Sequence, residues 1–487
     1  MLRSGSIYLI ATVFSQVISI IRLLLIPSML LPAQLGNWNL LNIVLGYCAN
    51  SHLGFLHGMN KIYPALKIKH FNSEALALRD SVFSVCLFLG FLAALGAFIF
   101  GYLRNPEYLS YASVLAIAIF FQALYTYFFC LLRAENKFQL VAIAVSTTAF
   151  VTTASIVTSM YFSTDRLMGA IYGLGIGQIL STMIIYKICS TRPKIIFNVT
   201  PLRKAIIEGF PILLVGLLDM FFLTADRWIL SFHVESGQLG YYSFSIMICS
   251  VMTILSSVLS NLIYTRLVEM NAISGGRESS FLLFDTSLTI LSYILIVVVM
   301  GIWTFSPFFI KQFMGRYEPS LPSLMVLAVG YLFLSLAGIC SSFSIAQDNQ
   351  IDLMIRQILS IIILLVFGIV IQNFSDNIAL FAGGVSFALL IFFILFLDLS
   401  VRRTGDSRAL VFVKVGRIIT PLVIGYAALQ ISSFMIESSH HWTVMTEVAW
   451  LICKFLLGAT LVTMAFYRLN REISRTVLLR LWHAKRR

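Results

Sequence analysis

Runs of about 20 apolar residues, broken by charged or Pro/Gly/Asn-rich stretches, recur along the whole chain. Each run is long enough to cross the roughly 30 Å hydrocarbon core as a helix. The pattern predicts fourteen spans, near 7–30, 38–60, 80–103, 109–132, 139–163, 167–188, 208–232, 240–265, 282–308, 320–346, 353–373, 377–398, 412–435 and 446–467. The first run carries Arg22 and continues past Pro27, so it reads as a span and not as a cleavable leader. The expected fold is all-α and polytopic. Its connecting stretches are too short for a large extramembrane catalytic domain.

Composition agrees: 59% of the 487 residues are hydrophobic and 11% charged. A net charge of +13 would suggest nucleic acid in a soluble protein, but here the charges sort by side of the membrane. Of the 34 Lys and Arg residues, 26 fall on the side holding both termini, 4 on the other side (Arg104, Arg166, Lys311, Arg316), and 4 inside spans. The positive-inside rule then makes both termini cytoplasmic and calls for no nucleic-acid partner. The tail 469–487 mixes Leu469, Ile473, Val477, Leu481 and Trp482 with basic residues, as an amphipathic helix on an anionic inner leaflet would. All seven cysteines lie in apolar runs, and neither they nor His440 and His441 show metal-ligand spacing, so no metal or other cofactor is expected.

The chain echoes itself. Arg22 followed by Gln34-Leu35-Gly36 returns as Arg227 followed by Gln238-Leu239-Gly240, and Arg133-Ala-Glu135-Asn136-Lys137 returns as Ala346-Gln347-Asp348-Asn349-Gln350. Both echoes pair spans six apart, so they argue for a duplicated six-span unit with parallel copies. The expected organisation is an N-terminal bundle 1–190, a basic linker 191–207, a C-terminal bundle 208–400, two extra spans in 401–468 and the tail 469–487. Gly169, Gly173 and Gly177 mark close helix packing.

Gly209-Phe210-Pro211, Asp226-Arg227-Trp228-Ile229-Leu230, Gly237-Gln238-Leu239-Gly240-Tyr241-Tyr242-Ser243, and Gln34 to Leu41 before Leu53-Gly54 carry a resemblance. They are similar to the polysaccharide transporter, or Wzx-like O-antigen flippase, family of the multidrug, oligosaccharidyl-lipid and polysaccharide exporter superfamily. The resemblance implies two six-helix bundles around a central cavity in the bacterial inner membrane. It implies alternating-access export of an undecaprenyl-pyrophosphate-linked oligosaccharide for lipopolysaccharide or a similar surface polymer. The partners implied are that lipid-linked glycan, membrane lipids, and polysaccharide polymerase and chain-length proteins. Those flippases usually have twelve spans; fourteen resembles the lipid II flippases.

An ionisable group at mid-bilayer costs about 2.5–3.5 kcal/mol even on the lenient insertion scale, so each marks a candidate site. Asp219 lies eight residues after Pro211, near mid-membrane; Asp226 follows two turns later beside Arg227. Either acid could bind a coupling ion, or Asp226 and Arg227 could form a purely structural pair. Burial raises a carboxylate pKa and a nearby Arg lowers it, so both acids stay open. Arg22 and Arg227 occupy equivalent places in the two copies, and their guanidinium groups suit the pyrophosphate headgroup that the resemblance implies. The alternative for Arg22 is snorkelling to the interface. Arg356 is a third headgroup candidate, and Lys454 is within snorkelling reach. His52 is a candidate for a proton path or gate, against a hydrogen-bonded packing role.

Rival functions remain. A polytopic polymerase or glycosyltransferase would place acids in a long outer loop, which is missing here, and no P-loop for nucleotide hydrolysis is found, so the chain is not expected to be an enzyme. A multidrug cation antiporter of the same superfamily would prefer an acidic cavity; the spans hold Arg22, Arg227, Arg356 and Lys454 against Asp219, Asp226 and Asp285.

Overall fold

A computed structural model describes residues 2–104, 109–271, 276–347, 349–402, 409–434 and 444–469. Sixteen α-helices hold them: α1 (Leu2–Met29), α2 (Pro32–Ala49), α3 (Phe55–Ile68), α4 (Asn72–Arg104), α5 (Leu109–Ala134), α6 (Phe138–Phe162), α7 (Arg166–Ile188), α8 (Val199–Phe222), α9 (Ala225–His233), α10 (Ser236–Asn271), α11 (Gly276–Phe313), α12 (Leu321–Ala346), α13 (Gln350–Phe374), α14 (Ile378–Arg402), α15 (Ala409–Phe434) and α16 (Val444–Leu469). No strand occurs among the described residues. The protein is a multi-pass membrane protein. Helix is obligatory here, because an apolar solvent leaves every backbone N–H and C=O to be satisfied within the segment.

Among the described residues thirteen stretches are long and apolar enough to cross a membrane. The remaining predicted span, 38–60, is instead broken into α2 and α3. Span 208–232 is likewise split, by a short turn at Leu223 and Thr224 between α8 and α9. The tail from 470 onward, with His440 and His441, lies outside the described residues.

The duplication is visible in the packing. In the first half α4 packs on α5, α5 on α7, and α6 on α7; six spans later α11 packs on α12, α12 on α14, and α13 on α14. The three glycines of α7 make the α6 contact possible. A methyl group at Gly169 would lie 2.7 Å from the Ser159 carbonyl oxygen, one at Gly173 2.8 Å from the Ile156 nitrogen, and one at Gly177 2.9 Å from the Thr152 Cα. Without those glycines the two backbones could not approach so closely.

The chain divides into two compact units, one of residues 1–227 with 235–240 and the other of 228–234 with 241–487. This boundary differs from the expected one at 191–207. The basic stretch after α7 is docked, since Ser84 Oγ accepts the Ile196 N–H at 2.8 Å and Ser81 Oγ accepts the Asn198 N–H at 3.2 Å. Helix α8 then packs on α3 and α4. The core of the first unit lies at the end bearing the basic loops, around Tyr63, Tyr127, Leu131, Val141 and Ile185.

In the second unit Phe284 stacks on Phe343 with ring centroids 4.5 Å apart. Helices α15 and α16 pack on each other and on α11, where Met300 fills the space beside Gly425 and Gly458. Lys414 of α15 is ion-paired with Asp285 of α11, and its Nζ lies 5.4 Å from the Phe281 ring centroid.

Candidate functional site

The break between α2 and α3 is built by residues 50–54. Leu53 has φ +47° and Gly54 φ +94°, left-handed values that stop a right-handed helix. Nδ1 of buried His52 accepts the Gly54 N–H at 3.1 Å and so closes the turn. The His57 ring stands edge-on to His52 with centroids 5.1 Å apart. Asn50 donates to the Gly46 carbonyl at 3.2 Å.

Helix α8 runs along both halves of this broken helix. Near the basic end Gly54 lies against Gly209 and Phe210, Gly58 lies against Ala205, and Lys61 pairs with Glu208 at 2.6 Å. A methyl group at Gly58 would fall 2.6 Å from the Ala205 carbonyl carbon, so this seam is backbone against backbone. Further along, Met220 covers Gly46 and lies 4.0 Å from Asn50 Nδ2, and the Tyr47 and Thr224 hydroxyls meet at 2.9 Å. Pro211 inside α8 lacks an N–H, which leaves the ladder of α8 incomplete beside the break in its partner. Unwound backbone at membrane depth is tolerated where protein or a water-lined space covers it, and it is a common setting for ion sites.

At the opposite end the two sequence echoes meet. Gly36 lies against the Ser236 carbonyl, and Gly240 lies against the Pro32 carbonyl. Each glycine of one copy thus touches the residue four before the matching glycine of the other. Asp165 braces this end: it accepts from Gln34 Nε2 at 3.3 Å, from the Tyr111 hydroxyl at 2.8 Å and from the Leu167 N–H at 2.9 Å as the cap of α7. Gln34 Oε1 in turn accepts the Leu31 N–H at 3.1 Å. The repeat had marked Gln34 and Gly36 only as an echo; their contact partners are 131 and about 200 residues away.

The charged candidates separate into two kinds. Arg22 is half-buried in α1, seven residues or about 10 Å from Met29. It has no hydrogen-bond or ion-pair partner among the described residues. Asp219 is exposed near the end of α8, one residue before the Met220 that meets Asn50. By contrast, Asp226 and Arg227 pair at 3.5 Å on α9, and Arg227 also donates to the Leu223 carbonyl. Arg356 of α13 donates to Asp398 of α14 at 2.8 Å and to the Leu395 carbonyl at 2.5 Å, while Arg402 also holds Asp398 at 3.0 Å. That triad ties α13 to α14. His57, Asn50, Gly58 and Ala205 were not singled out in the sequence; the helix interruption at Asn50-Ser51 before Gly54 was the available signal.

The sequence matches the family described as polysaccharide biosynthesis protein over residues 68–321, just over half of the chain. The chain belongs to that family. No curated protein matches it. Among solved structures it is similar to the lipid II flippase MurJ in an inward closed conformation, at 16% identity and TM-score 0.72, covering 96% of this chain and 99% of that one. It is also similar to an inward-facing multidrug resistance MATE family transporter of the MOP superfamily, at 15% identity and TM-score 0.65, covering 80% and 95%. A mutant MATE transporter from Vibrio cholerae matches at 12% identity and TM-score 0.56, covering 84% and 97%. These neighbours are membrane transporters and a flippase by their descriptions, and this chain shares their fold.

Proposed function

We propose that the protein is a flippase that carries an undecaprenyl-pyrophosphate-linked oligosaccharide, the repeat unit of O-antigen or a similar surface polysaccharide, to the outer leaflet of a bacterial inner membrane. Both termini are cytoplasmic in this reading, and alternating access moves the headgroup. One observation carries it: Arg22, a guanidinium within a span and without a partner among the described residues. Such a charge is costly in an apolar medium unless an anion from outside the protein meets it. A pyrophosphate headgroup supplies that anion and accepts the guanidinium's paired donors. Arg227 is left out of the headgroup site, because Asp226 and the Leu223 carbonyl engage its donors. Arg356 is left out of it, because Asp398 and the Leu395 carbonyl engage its donors. Asp219, exposed within a span, is the ion-coupling carboxylate in this reading.

Deletion of the gene in its native host, with mass spectrometry of undecaprenyl-linked intermediates, tests the reading. Lipid-linked oligosaccharide should accumulate on the cytoplasmic side and be cleared by wild type but not by Arg22→Ala or Asp219→Asn. Unchanged glycan together with altered sensitivity to cationic drugs would overturn it in favour of a multidrug antiporter.

A further inference from the structure

The turn at 50–54 depends on a lone pair. Nδ1 of His52 can accept the Gly54 N–H only while that nitrogen is unprotonated, so the neutral ring carries its hydrogen on Nε2. A proton arriving from water takes the Nδ1 lone pair. The ring is then a donor at both nitrogens, and the Gly54 N–H faces a donor in place of its acceptor. With the Leu53 N–H on the Asn50 carbonyl at 3.3 Å and the Phe55 N–H on the His52 carbonyl at 3.0 Å, this bond closes the turn that keeps Leu53 and Gly54 left-handed, and a Cβ at Gly54 would lie 2.8 Å from the Gly209 carbonyl carbon and from the Phe210 nitrogen. The turn and the α3–α8 seam are therefore one mechanical unit. We propose that His52 is a proton-operated latch: protonation at Nδ1 unlocks the turn at Leu53 and Gly54 and releases α3 from α8.

The surroundings suit a single exchangeable proton. The His57 ring, 5.1 Å away, disfavours a second positive charge on the pair. On α5, the Arg133 guanidinium acts on His57, and just beyond that helix Glu135 is paired with Lys137 at 2.7 Å. On α8, Glu208 is bridged to Lys61 of α3 at 2.6 Å, with Arg203 and Lys204 toward its start and Asp219 toward its end. On α4, Arg79 and Asp80 neutralise each other at 2.6 Å. Helix α2 carries no charged residue. As the coupling site for transport the latch rests on the flippase reading; as a conformational device it does not.

The test places spin labels at Lys61→Cys and Glu208→Cys, with the native cysteines replaced by alanine, in the full chain in lipid nanodiscs. The distance should be short at pH 8, and a longer population should grow as the pH falls to 4, changing the ratio by at most about tenfold per pH unit for one proton. His52→Asn keeps an acceptor for the N–H two residues on and does not titrate, so its distance should stay short throughout. His52→Ala, with no acceptor, should be open already at pH 8. A wild-type distance that ignores pH, or a His52→Asn protein that responds like wild type, would overturn the latch. Translocation of lipid-linked oligosaccharide into liposomes by the unlabelled protein separates the two readings. Transport with a pH-insensitive distance removes the latch alone, and a pH-sensitive distance without transport removes the flippase reading alone.

Discussion

Replacing Gly173 by alanine should destabilise the first unit by forcing α6 and α7 apart. The new methyl carbon would lie 2.5 Å from the Ser155 carbonyl oxygen and 2.8 Å from the Ile156 nitrogen, all rigid helix backbone. Ordinary contact for carbon is about 3.5–4.0 Å, so the helices must separate by about 1 Å along a seam that Gly169 and Gly177 also share. Overpacking of this kind costs about 1–3 kcal/mol. Alanine also returns about 0.8–1.0 kcal/mol of helix propensity, which blurs the absolute effect. Gly216→Ala in α8 removes that ambiguity, because nothing lies within 4 Å of its added methyl group. Propensity then cancels between the two variants and the packing term is left. For a unit of about 230 residues, 1 kcal/mol is about 2–4 °C, so Gly173→Ala should melt about 2–12 °C below Gly216→Ala. A thiol-reactive dye that reports exposure of buried Cys86 and Cys189 on heating measures both. A gap under about 1 °C, or a reversed order, would refute the close-packing argument.

Gly240→Ala places a methyl group 2.5 Å from the Pro32 carbonyl carbon, so the contact between the two echoes should open; we expect transport to fall about 5- to 150-fold, the equivalent of about 1–3 kcal/mol, measured by liposome translocation, and melting to fall as it does for Gly173→Ala. Asp165→Ala removes the α7 cap and the anchor of Gln34 and Tyr111 together. It should cost about 1–2 kcal/mol in the thermal assay, and Asp165→Asn should recover part of it. Arg356→Ala leaves the half-buried Asp398 with Arg402 alone. We expect a loss of about 1.5–3 kcal/mol in stability and unchanged headgroup affinity in the surviving protein, whereas weaker lipid binding at normal stability would return Arg356 to the headgroup site.

How much was legible in the sequence varies from element to element. Span positions were legible because a helix that crosses a bilayer must be apolar for about 20 residues, and α4 to α7 and α10 to α16 fall where the apolar runs lie. The duplication was legible in two short echoes. The Gly169, Gly173 and Gly177 spacing announced one packed face, although not that α6 would be the partner. The interruption of span 38–60 was not recognised, because Asn50, Ser51, His52 and Gly54 sit inside an otherwise apolar run and hydropathy averages over them. Charge roles were the least legible. Arg22 and Arg356 look alike as isolated arginines in spans, yet Arg356 pairs with Asp398, 42 residues away, and Arg22 has no hydrogen-bond or ion-pair partner among the described residues.

The sequence by itself determined that this chain lives in a membrane, where most of its spans lie, and that its two halves echo each other, since each follows from composition or spacing along one dimension. Tertiary structure alone decided which glycines touch, that α8 lies along the broken α2–α3 helix, and that His52 holds the Gly54 N–H. The physical reason is that hydropathy is a local property of a segment. Pairing of charges, backbone contact at a seam and the acceptor of a single N–H depend on which distant segments the fold brings within a few ångströms.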